Sequence, residues 1–265
     1  MSLDPRLREL SLDLPTRPQL LGRLAELLHD ESADAQQVGR LIETDMALAS
    51  AVLRTVNSAM FGITRRVETV HEAVQYLGMS EVAAVTYQMG LRSVFPSTPE
   101  LEEIWSEASR RSLFMGRMAN LLRLDPWLAH SAGLFEDCGK AVLVGFDPEY
   151  GAMLPQYEEE PPLVKMEMTR YGVGHDVLGA ALCESWGLSA LAADAVRLHV
   201  AATAHGDVPE EAKCRWLVAL MLAADAWLED EYSLRSMVEY VAPQANLDRG
   251  SFWSAAEKVS AQLGA

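Results

Sequence analysis

The sequence predicts an all-α protein built from two packed helical subdomains. Three observations predict it. Apolar residues recur at helical spacing along nearly the whole chain, strand-type alternation is almost absent, and closely spaced prolines interrupt the pattern near residue 96.

Taken in order, Leu20, Leu21, Leu24, Leu27 and Leu28 form one stripe after Leu14-Pro15. Val38, Leu41, Ile42, Ala49, Val52, Leu53 and Val56 continue it over two short helices, with Thr44-Asp45 as the cap between them. Asn57-Ser58-Ala59-Met60-Phe61-Gly62 carries turn chemistry. Residues 70–77 form a helix closed by Gly78, and Ser80-Glu81 opens another that runs to about Val94. Phe95-Pro96-Ser97-Thr98-Pro99 divides the chain into 1–96 and 97–265. Two prolines in five residues cannot lie inside one helix, and Pro99 suits the first turn of the next. Beyond it, helices are expected at 99–124, 126–136, 138–146, from Asp147-Pro148, and at 162–171, 175–186, 190–201, 209–229, 233–241 and 250–263. Glu158-Glu159-Glu160-Pro161-Pro162 reads as a solvated loop.

A chain of 265 residues, 49% hydrophobic and 23% charged, can bury a sizeable core. No apolar run reaches the about 20 residues of a membrane helix, and Met1–Arg6 lacks the start of a secretory signal, so a cytoplasmic protein without membrane contact is expected. Cys138, Cys183 and Cys214 are odd in number and far apart, which fits free buried thiols better than a zinc site or disulfides. A net charge of −16, with Arg65-Arg66 and Arg110-Arg111 as the adjacent basic pairs, argues against direct nucleic-acid binding.

The chemistry centres on Ala132-Gly133-Leu134-Phe135-Glu136-Asp137-Cys138-Gly139-Lys140. Two adjacent carboxylates inside an apolar run need a metal, a cation or hydrogen-bond donors, unless they simply face water at a helix end. Asp225 raises the same question. It lies in Leu220-Met221-Leu222-Ala223-Ala224-Asp225-Ala226-Trp227, and its helical neighbours Met221 and Leu228 turn it inward.

At these residues the chain resembles the HDOD domain, a divergent branch of the HD superfamily of metal-dependent phosphohydrolases. The resemblance runs over about residues 10–230, with further helices after it. It rests on Leu14-Pro15, on residues 41–48, on Val56-Asn57-Ser58-Ala59-Met60-Phe61-Gly62, and on Val70-His71-Glu72-Ala73-Val74 with Leu77-Gly78. In the second half it rests on Trp105, residues 132–140, Gly172-Val173-Gly174-His175, residues 179–182, Trp186-Gly187-Leu188, His199 and Ala223-Ala224-Asp225. It implies that 97–265 folds as an HD-like helical unit. It also implies a metal site in which the family's His-Asp pair falls on Glu136-Asp137, its last Asp on Asp225 and its first His near Glu107, two residues after Trp105. Two imidazoles are then replaced by carboxylates. His175 and His199 match positions where HD-type relatives place further histidines; the plainer reading is that each caps or lines a core helix.

An all-carboxylate set favours Mg²⁺, Mn²⁺ or Ca²⁺ over softer ions. Without an ion these side chains must turn to solvent or pair with Lys140 or Arg110. Asn57 and Ser58, in the turn, and Arg65 and Arg66 are candidate interaction residues, although a turn Asn bonding backbone explains Asn57 equally well. The sequence carries no Gly-rich phosphate loop, no nucleophile elbow and no zinc spacing. The resemblance therefore implies a non-catalytic bacterial signalling module with a degenerate metal site. Such a module has no catalytic residue and no required cofactor, and it contacts a regulatory or signalling protein; its oligomeric state is left open. The alternatives are a phosphohydrolase or cyclic-dinucleotide phosphodiesterase with carboxylate-substituted ligands, and a module that senses a nucleotide or metal without turning it over.

Overall fold

Short polar side chains ahead of apolar stripes set the helix starts in the first half. The computed structural model describes residues 14–30, 32–157 and 159–264; Met1–Arg6 and Glu158 lie outside them. The first helices are α1 (Gln19–His29), α2 (Ala35–Glu43), α3 (Met46–Val56), α4 (Val70–Leu77) and α5 (Met79–Val94). Asp34 and Gln37 cap α2 reciprocally, side chain to backbone, at 2.8 Å each. Asp45 caps α3 by accepting from the Leu48 amide at 3.0 Å. Gly78 separates α4 from α5 with φ +87°, a conformation that favours glycine.

After the proline break come α6 (Pro99–Leu121), α7 (Pro126–Phe135), α8 (Cys138–Phe146), α9 (Pro148–Met153), α10 (Glu160–Tyr171), α11 (His175–Ser185), α12 (Ala190–His205), α13 (Arg215–Glu229), α14 (Glu231–Gln244) and α15 (Arg249–Leu263). Among the described residues there is no strand, and no helix is long and apolar enough to cross a membrane. Two expectations are corrected. Glu160, Pro161 and Pro162 are not loop but the first turn of α10, where the missing proline N–H groups have no intrahelical partner to lose. α13 starts at Arg215, because residues 209–214 form a turn held by the Arg215 guanidinium on the carbonyls of Pro209 (3.1 Å) and Gln244 (2.7 Å).

α7 is mostly apolar, with His130 and Ser131 as its polar side chains, and is buried from Trp127 to Phe135, as befits a central helix. It packs against α5, α6, α12 and α13. Buried apolar side chains form one connected core from Leu21 to Val259, crossing the proline break. Polar ties also cross it. Arg117 forks onto the buried Glu81 carboxylate at 2.6 and 3.1 Å, and the Trp186 indole donates to the Pro15 carbonyl at 2.9 Å. All three cysteines are buried and free. Small residues bring the helices around the α7–α8 junction close together. A β-carbon at Gly133 would press on α6 backbone at 3.1 Å, and one at Gly139 would collide with the His175 carbonyl of α11.

Candidate functional site

Glu136 and Asp137 occupy the junction between α7 and α8, buried to 2% and 6% exposure. The group that answers them is Arg111 of α6, itself 6% exposed. Its Nη1 donates to Asp137 Oδ2 at 3.0 Å, its Nε donates to Asp225 Oδ1 at 2.9 Å, and Glu136 Oε2 lies 3.2 Å from the same Nε. The expectation that Arg110 pairs with these acids is overturned. Arg110 lies one step round the helix, with its guanidinium 4.9 Å from the centre of the Trp227 ring. Lys140 does reach the cluster, but through Asp137 Oδ1 (2.8 Å) rather than Glu136, and it also holds Glu160 Oε1 at 2.7 Å.

From Glu160 the charges continue inward. Glu160 Oε2 lies 3.0 Å from His175 Nε2. His175 donates from Nδ1 and from its backbone amide to the fully buried Glu167, at 2.8 Å each. Glu167 also accepts a hydrogen bond from the Tyr150 hydroxyl. The result is a chain of alternating sign, Asp225–Arg111–Asp137–Lys140–Glu160–His175–Glu167. It joins α13, α6, the α7–α8 junction, α8, α10 and α11.

His199 Nδ1 donates to the Val196 carbonyl at 2.6 Å, so neutral His199 presents a bare Nε2, 3.2 Å from His175 Nε2. Asp137, His175 and His199 each offer one ligand atom within a 4.8 Å spread.

Burial and these partners separate the protonation states. Burial works against the Asp137 carboxylate, but Lys140 and Arg111 outweigh it and hold its pKa well below the usual carboxylate range. At Glu136 burial prevails over Arg111 and pushes the pKa well above that range. Asp225 is also raised, by burial against the pull of Arg111. Burial opposes ionisation of Glu160, yet His175 and Lys140 bring it down to about 2. Burial likewise disfavours a charged His175, but Glu160 and Glu167 push it up to about 9. His199 is pushed down to about 4 by burial and by the charge on His175.

Of the residues picked from the sequence, Glu136, Asp137, Asp225, His175 and His199 converge on one region. Glu107 is exposed on α6, lines the same cleft and makes no ion pair among the described residues. Asn57 is a structural clamp. Its amide donates to the carbonyls of Leu53 (2.7 Å) and Val67 (2.9 Å), and its carbonyl accepts from the Val67 amide at 2.8 Å. Ser58 precedes a one-turn 3₁₀ helix, Arg65 lies 3.8 Å from Glu72, and Arg66 is exposed beside Val67. None of these four joins the acidic cluster. Sequence reasoning missed Arg111, Glu160, Glu167 and Tyr150.

The residues can be tested against a divalent ion. At Glu136, Asp137 and Asp225 they do not fit one, because a permanently charged guanidinium already contacts all three carboxylates. Asp137, His175 and His199 fit better. Glu167 and Val196 hold the two Nδ1 protons, as outer partners of metal-bound imidazoles do, leaving both Nε2 atoms directed at the gap.

Comparison with known proteins agrees with this architecture. A protein of Treponema pallidum (strain Nichols), described as uncharacterized, is 29% identical over 193 residues, 71% of this chain and 37% of that one. The chain thus spans well under half of that relative's length. An HDOD domain protein with unknown function from Geobacter sulfurreducens has a TM-score of 0.69 at 21% identity, covering 97% of this chain and 94% of that one. A candidate signal transduction protein from Marinobacter aquaeolei VT8 has a TM-score of 0.73 at 19% identity, covering 100% and 61%. A candidate phosphohydrolase from Shewanella amazonensis SB2B reaches 0.69 at 20% identity, covering 94% and 95%. These three likenesses are of fold. Residues 14–202 match the HDOD domain, most of the chain's length, and the protein belongs to the HDOD domain family.

Proposed function

We propose that this protein is a non-catalytic signalling module that acts through contact with a regulatory or signalling protein, and that a built-in cation stands where a hydrolase of related fold keeps its metal. One observation carries the reading. The Arg111 guanidinium lies within 3.2 Å of carboxylates from Glu136, Asp137 and Asp225, the residues on which the sequence resemblance would put metal ligands. A guanidinium cannot lose its proton to make room, so a divalent ion among these acids would sit against a fixed positive charge. Lys140 and a protonated His175 add to the same effect on the Asp137 side. Among Glu136, Asp137 and Asp225 the guanidinium leaves no carboxylate without a cation beside it. The chemistry of the network is structural, and it welds six elements of the second half together.

A second reading, a metal-sensing module, is favoured by the spacing of Asp137, His175 and His199. These three would hold the ion, and a bound ion would supply Lewis acidity. To admit it, His175 must give up its Nε2 proton and Lys140 must leave Asp137.

The test is hydrolysis of bis-p-nitrophenyl phosphate with added Mn²⁺ or Mg²⁺, beside Asp137→Ala, together with metal analysis of the purified protein. No metal-dependent turnover is expected. Turnover that Asp137→Ala abolishes would overturn the non-catalytic reading, and stoichiometric metal without turnover would favour the sensing one.

A further inference from the structure

The seam between α5 and α6, where the two halves of the chain meet, carries polar pairs along its length. The facing stripe of α5 is Glu81, Val85, Gln88 and Arg92, and that of α6 is Glu102, Ser106, Ser109, Leu113 and Arg117. Arg92 pairs with Glu102, Gln88 with Ser109 and Glu81 with Arg117, so the helices run antiparallel. The serines are too short to fill the space between these rungs. A cavity of about 360 Å³ opens there, a small-molecule size, with Phe61, Val85, Leu113 and Leu134 as its buried apolar wall. It shares no lining residue with the Arg111 cleft.

The buried polar wall offers lone pairs and no protons. Gln88 lines the cavity at 7% exposure. The Ser109 hydroxyl donates to the Trp105 carbonyl at 2.5 Å, so its oxygen can only accept from the Gln88 side chain. That fixes the amide, with Nε2 on Ser109 and Oε1 turned away from it. Oε1 accepts no hydrogen bond among the described residues, yet it is not sealed off as the Glu136 and Glu160 oxygens are. Ser112 donates to the His130 carbonyl at 2.9 Å, and Thr55 donates to the Met89 sulfur at 3.8 Å. A carbonyl oxygen and hydroxyls without spare protons call for hydrogen-bond donors on the ligand. Charge is not called for, because Arg92 and Glu102, the charged residues of the lining, neutralise each other. Phe61, Met60 and Met89 offer the ring face and soft sulfurs that suit a flat aromatic guest.

We propose that this cavity binds a neutral heterocycle of the nucleobase class. Its N–H donors meet Gln88 Oε1 and the serine oxygens, its ring lies against Phe61 and Met89, and any attached sugar sits at the mouth by Ser58 and Ser106. Such a ligand bridges the two halves of the chain, and the proposal is independent of the role of Arg111. The probes are the four common ribonucleosides, titrated calorimetrically into the full chain, beside Gln88→Met and Ser106→Trp. Ser106 is exposed, so its variant keeps the fold and plugs the mouth. Gln88→Met keeps much of the side-chain length and loses the acceptor. At least one nucleoside should bind saturably, one to one, with no measurable binding to Ser106→Trp. Binding to Gln88→Met should be about tenfold weaker through loss of one hydrogen bond. The N-methylated form of the bound base, which lacks the donor, should lose about as much on the native protein, and this arm decides the matter should Gln88→Met fail to fold. No saturable binding by any of the four overturns the proposal. Binding that Ser106→Trp leaves unchanged overturns it by placing the ligand elsewhere. Undiminished binding by folded Gln88→Met, or of the N-methylated base, overturns it as well, because the cavity would then select for apolar surface and not for donors.

Discussion

An arginine at 6% exposure has lost most of its hydration, a cost of several kcal/mol that only close counter-charges offset. Arg111 meets three, and each of those acids depends on it in turn. Arg111→Met, similar in length and uncharged, is therefore expected to cost about 3–5 kcal/mol, the usual penalty for breaking a buried charge network from one side. It should also create what the native protein lacks, a vacancy between three carboxylates. Thermal unfolding with and without millimolar Mn²⁺ checks both points. The variant should melt lower and be raised by the ion, while the native protein should respond little; equal responses would count against Arg111 as the stand-in cation. His175 gives a pH signature. Its pKa is about 9 folded against 6.5 unfolded, so its stabilisation is complete below pH 6.5 and is lost as pH rises through 9. His199 and the buried His130, both held near 4 chiefly by burial, act the other way. The unfolded chain takes up their protons first, so stability falls as pH drops from 6.5 towards 4. Stability should therefore peak at about pH 6–7. His175→Gln should flatten the alkaline limb in denaturant titrations between pH 6.5 and 9.

At the scale of elements, the site exists because helices approach one another closely at small residues. α8 and α11 meet where Gly139 faces the His175 backbone, and this contact brings Lys140 and Asp137 beside the His175 ring. Gly139→Ala places a methyl group on the His175 carbonyl. It should destabilise by about 1–3 kcal/mol or more through overpacking, although alanine is the better helix former. A denaturation midpoint equal to the native one would show that the helices can separate without loss. Helix phase marks Arg111 and Glu167 as inward-facing. Ile104, Ala108, Arg111 and Met115 are spaced by four, three and four, so Arg111 lies on the buried stripe of α6 while Arg110 does not. Glu167 lies four residues after Leu163 on the stripe of α10. A charged residue in phase with a core stripe was the available signal, and adjacency in Arg110-Arg111 obscured it.

At the scale of the molecule, the two halves are tied by side chains far apart in sequence. Trp186 packs its ring near Tyr87 and Phe135 and places its N–H on Pro15. Trp186→Phe keeps much of the packing and strands the Pro15 carbonyl. A loss of about 1–3 kcal/mol is expected, with faster amide exchange in α1 as the discriminating readout. Unchanged exchange there would mean that this tie does not hold the start of the chain in place.

The sequence by itself determined the all-helical class, most helix limits, the break at Phe95–Pro99 and the three acids that needed an answer. These follow from local causes, namely the 3.6-residue period, capping side chains and the φ restriction of proline, each acting within about one turn. Only the tertiary structure decided what the answer was. Arg111 and Asp225 are 114 residues apart, and Glu160 reaches the site because α10 begins two residues earlier than its composition implied. Which cation meets which carboxylate depends on helix crossings and on where glycines allow close approach, and no local pattern encodes that pairing.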